Sequence, residues 1–273
     1  MTYSNQNKLE TKEITSKLNL LQKIKERGTL KVGYNSQMEP FYYFNQYHQL
    51  VGFEVTLVYS LAQSLDVGID WVPFKFNDLI SGLNENQFDI AIGGIFVSNE
   101  LLLKANVAHP YYQSKIALIV RKEQEQQYSS VKSIRNLKSL NIVVINDPAL
   151  INIVKHSFPK AKLTIVEKYD KLAFKKLNNK EFDALVWSEV QARIWSYGHP
   201  GYTYITPDGF NQTLLFSLVL PENQNHLLKY INFWLSMQSD SGMFKREILH
   251  WIYGHPHTED QYRWNLIDEL FSK

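Results

Sequence analysis

The chain alternates short apolar runs with segments whose apolar residues recur every three or four positions. In the first half, the apolar runs TLKVGYN, IDWVPFKF and FDIAIGGI are separated by VTLVYSLAQSLDV and FNDLISGLNENQ, which have helical spacing. Short apolar runs bounded by Gly, Asn and Asp are typical of buried strands. The pattern therefore predicts strands alternating with helices, which favours a largely parallel sheet with right-handed crossovers.

A second set of alternating segments follows the extended run PYYQSKIALIVRKEQ. Its predicted strands are NIVVIND, LTIVE and FDALVW, with helical patterns between them. A further strand, TLLFSLVLPEN, precedes a long helical pattern. Two similar α/β units joined by two extended stretches predict two Rossmann-like lobes with a two-strand hinge, an arrangement suited to closure over a ligand.

The same pattern sets the expected domain boundaries. Ile14, Leu18, Leu21 and Ile24 have helical spacing, and Gly28 is a suitable end for that helix. The predicted organisation is an N-terminal lead and helix at 1–27, lobe 1 at 28–110 plus 216–254, hinge strands at 111–114 and 211–215, lobe 2 at 115–210, and a C-terminal tail at 255–273.

Composition narrows the possible function classes. The 273 residues are 44% hydrophobic, which is enough to bury a core. The net charge of +2 does not indicate a nucleic-acid-binding surface. No cysteine is present, which excludes structural disulfides, thiolate catalysis and cysteine-ligated metals. The polar start MTYSNQNKLETKE lacks the apolar core of a signal peptide. Two interpretations remain open: a cytosolic protein, or one whose export signal or anchor has been removed.

Two predicted strands end in residues suited to a binding site. Asn35 follows one strand, and Gly93 and Gly94 end another. Because ligands of parallel α/β sheets lie at the carboxyl ends of the strands, we expect these ends to face one cleft. Ser98 begins the next helix, and a role as its N-cap would by itself explain the presence of a serine at this position.

Aromatic residues cluster beside the same strand ends, and flat rings suit a ligand with an apolar or cationic part. The candidates are Phe41, Tyr42, Tyr43, Phe44 and Phe96. Packing of the lobe accounts for most of them. We expect one of Phe41 and Tyr42, together with Phe96, to contact a ligand.

Seven phrases carry a resemblance to a known family. They are IKERGTLKVGYN, PFYYFNQYHQLVGFEVTLVYSLAQSL, FNDLISGLNENQFDIAIGGIFVSNE, AHPYYQSKIALIV, NLKSLNIVVIND, FDALVWSE and SGMFKREILHWIYG. In this order and spacing the chain resembles the extracytoplasmic solute-binding proteins of family 3, the amino-acid-binding type. The tail YRWNLIDELF is similar to the ending of a subgroup whose binding domains are attached to, or accompany, membrane transporters.

The resemblance implies the type II periplasmic-binding-protein architecture and a small-molecule ligand in a cleft between two lobes. It also implies a periplasmic or extracytoplasmic monomer that delivers its ligand to a membrane transporter or receptor. It implies no enzyme activity, cofactor, metal or nucleic-acid partner, although a few family members are dehydratases of prephenate-like acids.

The chain departs from the family's pattern at the site. Where amino-acid binders carry an arginine that holds the ligand carboxylate, this sequence has Leu101. Where the family has a turn rich in Gly, Ser and Thr, the chain has Asn146 and Asp147; Asp147 suits a helix cap and would repel an anion. Ser188 and Glu189 are the nearest counterparts of the family's amine-binding acid. Ser188 and Gln191 also fit a capping box.

The missing arginine leaves two possibilities open. Another cation replaces it, with Lys104, Lys115 and Arg193 as candidates, or the ligand is not an ordinary α-amino acid. The expected contacts of lobe 1 are Asn35, Phe41 or Tyr42, the backbone of Gly93 and Gly94, Phe96 and Ser98. The expected contacts of lobe 2 are Asn146, Asp147 and Glu189.

Other chemistry has weaker support. His250, His255, His257 and Asp260 cluster near the tail without the spacing of a closed metal site. His109 is a candidate pH-sensitive hinge residue or a packing residue. Two alternative functions stay open: a dehydratase-like enzyme with Glu189 as its acid, and a sensory or interaction module with an atypical cleft.

Overall fold

The computed structural model of the protein describes residues 18–35, 38–167, 169 and 171–255. The part of the predicted first helix before residue 18, and the tail with His257 and Asp260, lie outside the described residues. The chain divides into two compact units. Among the described residues, unit 1 contains those up to Ile95, Leu102–His109 and Ser217–Ile248, and unit 2 contains Phe96–Leu101, Pro110–Phe216 and those from Leu249 onward.

Strands and helices alternate through most of the described chain. The strands are β1 Thr29–Tyr34, β2 Tyr43–Phe44, β3 Leu50–Val51, β4 Gly68–Pro73, β5 Ile90–Ala91, β6 Asn106–Val107, β7 Tyr112–Arg121, β8 Asn141–Ile145, β9 Lys162–Val166, β10 Ala184–Ser188, β11 Tyr202–Ile205, β12 Thr213–Phe216 and β13 Val219–Leu220. The α-helices are α1 Leu20–Arg27, α2 Phe53–Ser64, α3 Leu79–Asn84, α4 Asn99–Leu102, α5 Val131–Arg135, α6 Pro148–Ser157, α7 Lys171–Asn178, α8 Glu189–Tyr197, α9 Asn225–Asp240 and α10 Met243–Trp251.

Unit 1 is built on a five-stranded sheet in the order β4-β1-β5-β13-β6. The strands β4, β1 and β5 are parallel, and β13 is antiparallel to both of its neighbours. Leu30 and Val32 alternate along β1 and are fully buried, as expected for a strand that packs against helices. The carboxyl ends of β1 and β5 therefore lie side by side, which brings Asn35 close to the Gly93–Gly94 segment.

Unit 2 has a sheet in the order β11-β7-β10-β8-β9, and β12 also pairs with β7. The strands β10, β8 and β9 are parallel, whereas β7 runs antiparallel to its partners. Its core packs apolar residues of the sheet against α7 and α8, including Ile119, Val143, Leu177, Leu185 and Ala192. Asn146 and Ser188 thus stand at the ends of neighbouring parallel strands.

The α/β fold class predicted from the pattern is confirmed, but several element limits differ. The run FDIAIGGI was expected to be one strand, yet β5 covers only Ile90–Ala91. Gly93 and Gly94 leave the sheet because their φ angles are +142° and +59°. The run TLLFSLVLPEN forms two strands, β12 in unit 2 and β13 in unit 1. The domain boundaries, including the hinge at 111–114 and 211–215, stay predictions.

Candidate functional site

The end of β5 in unit 1 is held by a carboxylate from a distant part of the chain. Glu54, in the first turn of α2, is fully buried. Its Oε2 accepts a hydrogen bond from the Gly93 N–H at 3.0 Å, and its Oε1 accepts one from the Gly94 N–H at 2.9 Å. These bonds satisfy two backbone donors that no longer belong to the sheet.

This finding bears on how the two glycines are expected to act. As bare backbone at a strand end, Gly93 and Gly94 were predicted to contact a ligand directly. Their N–H groups bond to Glu54, and a ligand contact through their other backbone atoms stays a prediction. The sequence pattern offers no sign of Glu54, because it lies near the start of a helix otherwise rich in buried apolar residues.

Asn35 lies beside the same glycines. A Cβ built on Gly93 would be 3.0 Å from the Asn35 Oδ1, so the absence of a side chain there makes room for the amide. The Tyr42 hydroxyl donates to Asn35 Oδ1. Burial raises the pKa of Tyr42 well above its ordinary value, and the charges of Glu54 and Glu39 raise it further, so the hydroxyl stays a donor. Tyr42 thereby orients Asn35.

Neither aromatic side chain predicted from this loop offers surface to a ligand. Phe41 is fully buried and packs edge-on against Phe53, with ring centroids 6.4 Å apart. Tyr42 is 1% exposed. Both rings belong to the core of unit 1, because the loop folds back so that Phe53 N–H and Glu54 N–H bond to the carbonyls of this segment.

Met38 is a residue of this site that sequence reasoning missed. Its sulfur occupies the space that a Cβ on Gly94 would need. A flexible thioether adapts its shape to the group it packs against. The sequence carries no signal for this contact, since Met38 precedes Pro40 in a loop and reaches Gly94 only through the fold.

Phe96 and Ser98 have local structural roles. Phe96 is buried against Phe216, edge-on at 4.9 Å. Ser98 Oγ accepts from the Leu101 N–H at 3.1 Å, which confirms the predicted helix cap. Leu101 is half-buried, and Leu103 beside it is 81% exposed.

Asp147 in unit 2 is a second buried carboxylate that accepts a hydrogen bond from the backbone. It is the N-cap of α6, is 6% exposed, and accepts from the Leu150 N–H at 3.0 Å, with Pro148 in the first turn. Burial raises the pKa of Asp147 to about 6, and the N–H groups of Leu150 and Ala149 oppose that rise. The predicted cap is confirmed.

The neighbouring Asn146 forms a separate hydrogen bond within unit 2. Its Nδ2 donates to Glu167 Oε1 at 2.9 Å on an exposed part of the surface. The amide nitrogen of Asn146 thus already donates to another side chain of unit 2.

The turn after β10 contains the third polar group of unit 2. Ser188 caps α8 and is fully buried, and its Oγ donates to Gln191 Oε1 at 2.7 Å. The predicted capping box is therefore incomplete, because the Gln191 side chain bonds to the serine hydroxyl and not to the Ser188 backbone N–H. The side chain of half-buried Glu189 forms no hydrogen bond or ion pair with another described residue. Burial is the main cause of the raised pKa values of Tyr112 and Tyr204, and the Glu189 charge raises them further.

The cations proposed to replace the missing arginine differ in their surroundings. The Arg193 guanidinium donates to the Ile252 carbonyl at 3.0 Å and lies 4.8 Å from the centre of the Tyr253 ring. It is therefore engaged by the segment that follows α10. Lys104 and Lys115 lie at exposed positions.

An aromatic recess of about 540 Å³ opens on unit 1. Tyr34 and Tyr59 meet Trp71 edge-on at 6.1 and 6.2 Å. The remaining walls come from the β2–β3 hairpin, namely Phe44, Gln49, Leu50 and Val51. Of the predicted aromatic cluster, Phe44 alone lines this recess.

Two features of the described residues bear on the other sequence predictions. The described part of the chain contains no cluster of three or more His, Asp or Glu side chains placed to hold a metal ion. Within the same residues, no helix has both the length and the apolar character needed to cross a membrane. The His250 ring nitrogen Nδ1 lies 2.8 Å from the His255 carbonyl, which is a local contact at the end of α10.

Comparison with known proteins places this geometry in a family. Cyclohexadienyl dehydratase of Pseudomonas aeruginosa is 24% identical over 246 residues, which cover 89% of this chain and 87% of the relative. An ancestral amino acid-binding protein, described as a precursor of cyclohexadienyl dehydratase, aligns with a TM-score of 0.74 at 23% identity, covering 86% of this chain and all of that one.

A binding protein of an amino acid ABC transporter from Streptococcus pneumoniae, solved with L-arginine, aligns with a TM-score of 0.75 at 22% identity. That alignment covers 86% of this chain and 98% of the other. The sequence model of the bacterial extracellular solute-binding proteins, family 3, matches residues 30–254. The chain therefore belongs to the family 3 bacterial extracellular solute-binding proteins.

Proposed function

We propose that this protein captures a small polar ligand outside the cytoplasm and delivers it to a membrane transporter, without chemical conversion. The observation that carries the proposal is the family match over residues 30–254, which includes the polar strand ends of both units. Relatives named as amino acid-binding components of ABC transporters share the fold over most of this chain. Export belongs to the same proposal, as does a monomeric state.

The proposed contacts follow from the polar groups at the strand ends. In unit 1 they are the Asn35 amide, the Met38 thioether and the backbone around Gly93 and Gly94. In unit 2 they are Asn146, Asp147 and Glu189, together with Ser98. Glu189 has the strongest support among the charged groups, because no described residue neutralises its half-buried carboxylate.

Capture would proceed by closure of two lobes on the ligand. Contacts that exist only in the closed state would then shift the equilibrium toward it. Small-angle scattering gives a direct measurement: the radius of gyration is expected to fall when a saturating ligand is added. An unchanged radius at saturation would contradict closure while leaving binding intact.

A thermal-shift screen tests capture itself. A ligand that binds only the folded protein raises its melting temperature. At a ligand concentration one hundred times Kd, binding adds about 2.7 kcal/mol to the free energy of unfolding. Amino acids, amines and organic acids form the panel. A melting temperature that stays constant across the panel would contradict capture and favour a sensory or interaction role.

The match to cyclohexadienyl dehydratase, which covers 89% of this chain, favours one alternative, a dehydratase acting on a prephenate-type acid. Glu189 would then serve as the general acid, since it is half-buried and lacks a neutralising partner among the described residues. Incubation of the protein with prephenate, followed by absorbance of the aromatic product, decides between the two. Turnover that Glu189→Gln abolishes would establish the enzyme and end the non-catalytic proposal.

A further inference from the structure

In each unit, backbone N–H groups at a strand end or at the start of the following helix are occupied by a carboxylate of the chain itself. From this we infer that the ligand carries no free carboxylate and is a cation, an amine or a guanidinium compound. The inference rests on the proposed capture function and specifies its ligand.

An anion that binds inside a protein needs hydrogen-bond donors or a cation. Backbone N–H groups at a helix N-terminus, or on irregular backbone at a strand end, are the usual receptors for a carboxylate or phosphate. A carboxylate brought into a partly dry site without such donors or a cation loses its hydration and gains no equivalent.

In unit 1 these donors are the N–H groups of Gly93 and Gly94. Glu54 takes both at 3.0 and 2.9 Å and is itself fully buried. A ligand carboxylate could use them only by displacing Glu54, which would leave a buried charge with its bonds broken. The Asn35 amide offers a neutral donor, and a neutral donor does not balance a full charge.

In unit 2 the corresponding donors stand at the start of α6. Pro148 has no N–H, and the Leu150 N–H is taken by Asp147 at 3.0 Å. Asp147 is buried, and no ion pair links it to a described cation. Its negative charge would oppose a ligand carboxylate at the same helix end and would favour a cation.

The charged side chains near these strand ends point the same way. Arg193 is bound to the Ile252 carbonyl and to the Tyr253 ring, and Leu101 provides no charge. Glu189 carries a half-buried carboxylate without an ion-pair partner among the described residues. Unit 2 therefore offers a receptor for an ammonium or guanidinium group, whereas the N–H donors named above in both units already bond to carboxylates of the chain.

Matched pairs that differ by one carboxylate test the inference. The pairs are arginine and agmatine, lysine and cadaverine, and tyrosine and tyramine, titrated by calorimetry into the full chain near pH 7. In at least one pair, the decarboxylated amine is expected to bind at least tenfold tighter than its amino acid. Amino acids that bind equally well or better would overturn the inference but preserve capture. If no member of any pair binds, both the inference and capture of this class of compound fail.

A charge-neutral variant tests the part played by unit 2. Asp147→Asn keeps an N-cap acceptor and removes the charge, so the preference for the amine is expected to fall at least threefold. Asp66→Asn is the matched control, because Asp66 is exposed and already has the φ of +51° that asparagine tolerates. A preference that stays the same in Asp147→Asn would overturn the role assigned to this carboxylate.

Discussion

Glu54 and Asp147 perform the same task in the two units over very different lengths of chain. Glu54 reaches the N–H groups of Gly93 and Gly94, which are 39 and 40 residues away, whereas Asp147 reaches Leu150, three residues away. The first contact exists only when α2 and β5 are packed together. The second can form in any conformation that starts the helix. A binding site can therefore be shaped by tertiary structure in one half and by local sequence in the other.

The largest expected effect comes from removing the long-range carboxylate. Glu54→Ala leaves two N–H groups without partners in the core and creates a cavity, so the free energy of unfolding is expected to fall by about 2–5 kcal/mol. Urea denaturation measures this loss. Glu26→Ala, at an exposed position of α1, is the control and is expected to change stability by less than about 0.5 kcal/mol. A loss below about 1 kcal/mol for Glu54→Ala would mean that water replaces the carboxylate.

The next effect separates backbone strain from crowding at the same strand end. Gly94 has a φ of +59° with the Met38 sulfur against it, whereas Gly28 has a φ of +70° with open space around it. Gly28→Ala is expected to cost about 1–2 kcal/mol of stability from its backbone conformation alone. Gly94→Ala is expected to cost about 1–3 kcal/mol more, because Met38 must move.

A double-mutant cycle checks the cause of that difference. Adding Met38→Ala to Gly94→Ala is expected to recover most of the extra cost, since the two side chains compete for one volume. If the losses simply add, crowding by Met38 is not the reason.

The pH dependence of the free energy of unfolding tests the effect of burying Asp147. The pKa of Asp147 is raised to about 6 in the folded protein, above about 3.9 in an unfolded chain. Between these values the folded state binds more protons, so the contribution of Asp147 to stability is greatest at low pH and is lost as the pH rises through this window. Asp147→Asn lacks this loss, and its stability relative to the wild type is expected to increase by about 1–3 kcal/mol from pH 4 to pH 7.

Parallel denaturation series of the two proteins at several pH values supply the measurement. Equal slopes for both would show that Asp147 has an ordinary pKa. A relative decrease in the stability of Asp147→Asn with rising pH would show a lowered pKa instead.

The smallest expected effect is the loss of a local cap. Ser98→Ala removes the acceptor for the Leu101 N–H and is expected to cost about 0.5–1 kcal/mol, because α4 is short and water can reach its first turn. Ser236→Ala, inside α9, is the control and is expected to be nearly neutral. Ligand affinity is measured on the same proteins. If Ser98 contacts the ligand directly, Ser98→Ala is expected to weaken binding by more than its effect on stability explains.

The sequence predicted the secondary structure more accurately than the positions of the candidate site residues. Alternating strand and helix patterns, and the caps at Ser98, Asp147 and Ser188, depend on neighbours within a few residues, and the structure confirms them. Phe41 and Tyr42 were expected near a ligand but are buried, because an aromatic pair in a loop has no periodicity that reveals which way the loop folds. The length of β5 was overestimated for a related reason: apolar residues continue past Ala91, while the glycines end the pairing.

What the sequence by itself determined is local: where helices begin, which runs are buried, and that the helix after β8 starts with a carboxylate. Only the tertiary structure decided which distant groups meet, with Glu54 on the Gly93 and Gly94 N–H groups and Met38 against Gly94. The physical reason is that a cap forms between residues the chain already holds close together. A contact across 40 residues requires the packing of a whole sheet and helix, which no short segment encodes.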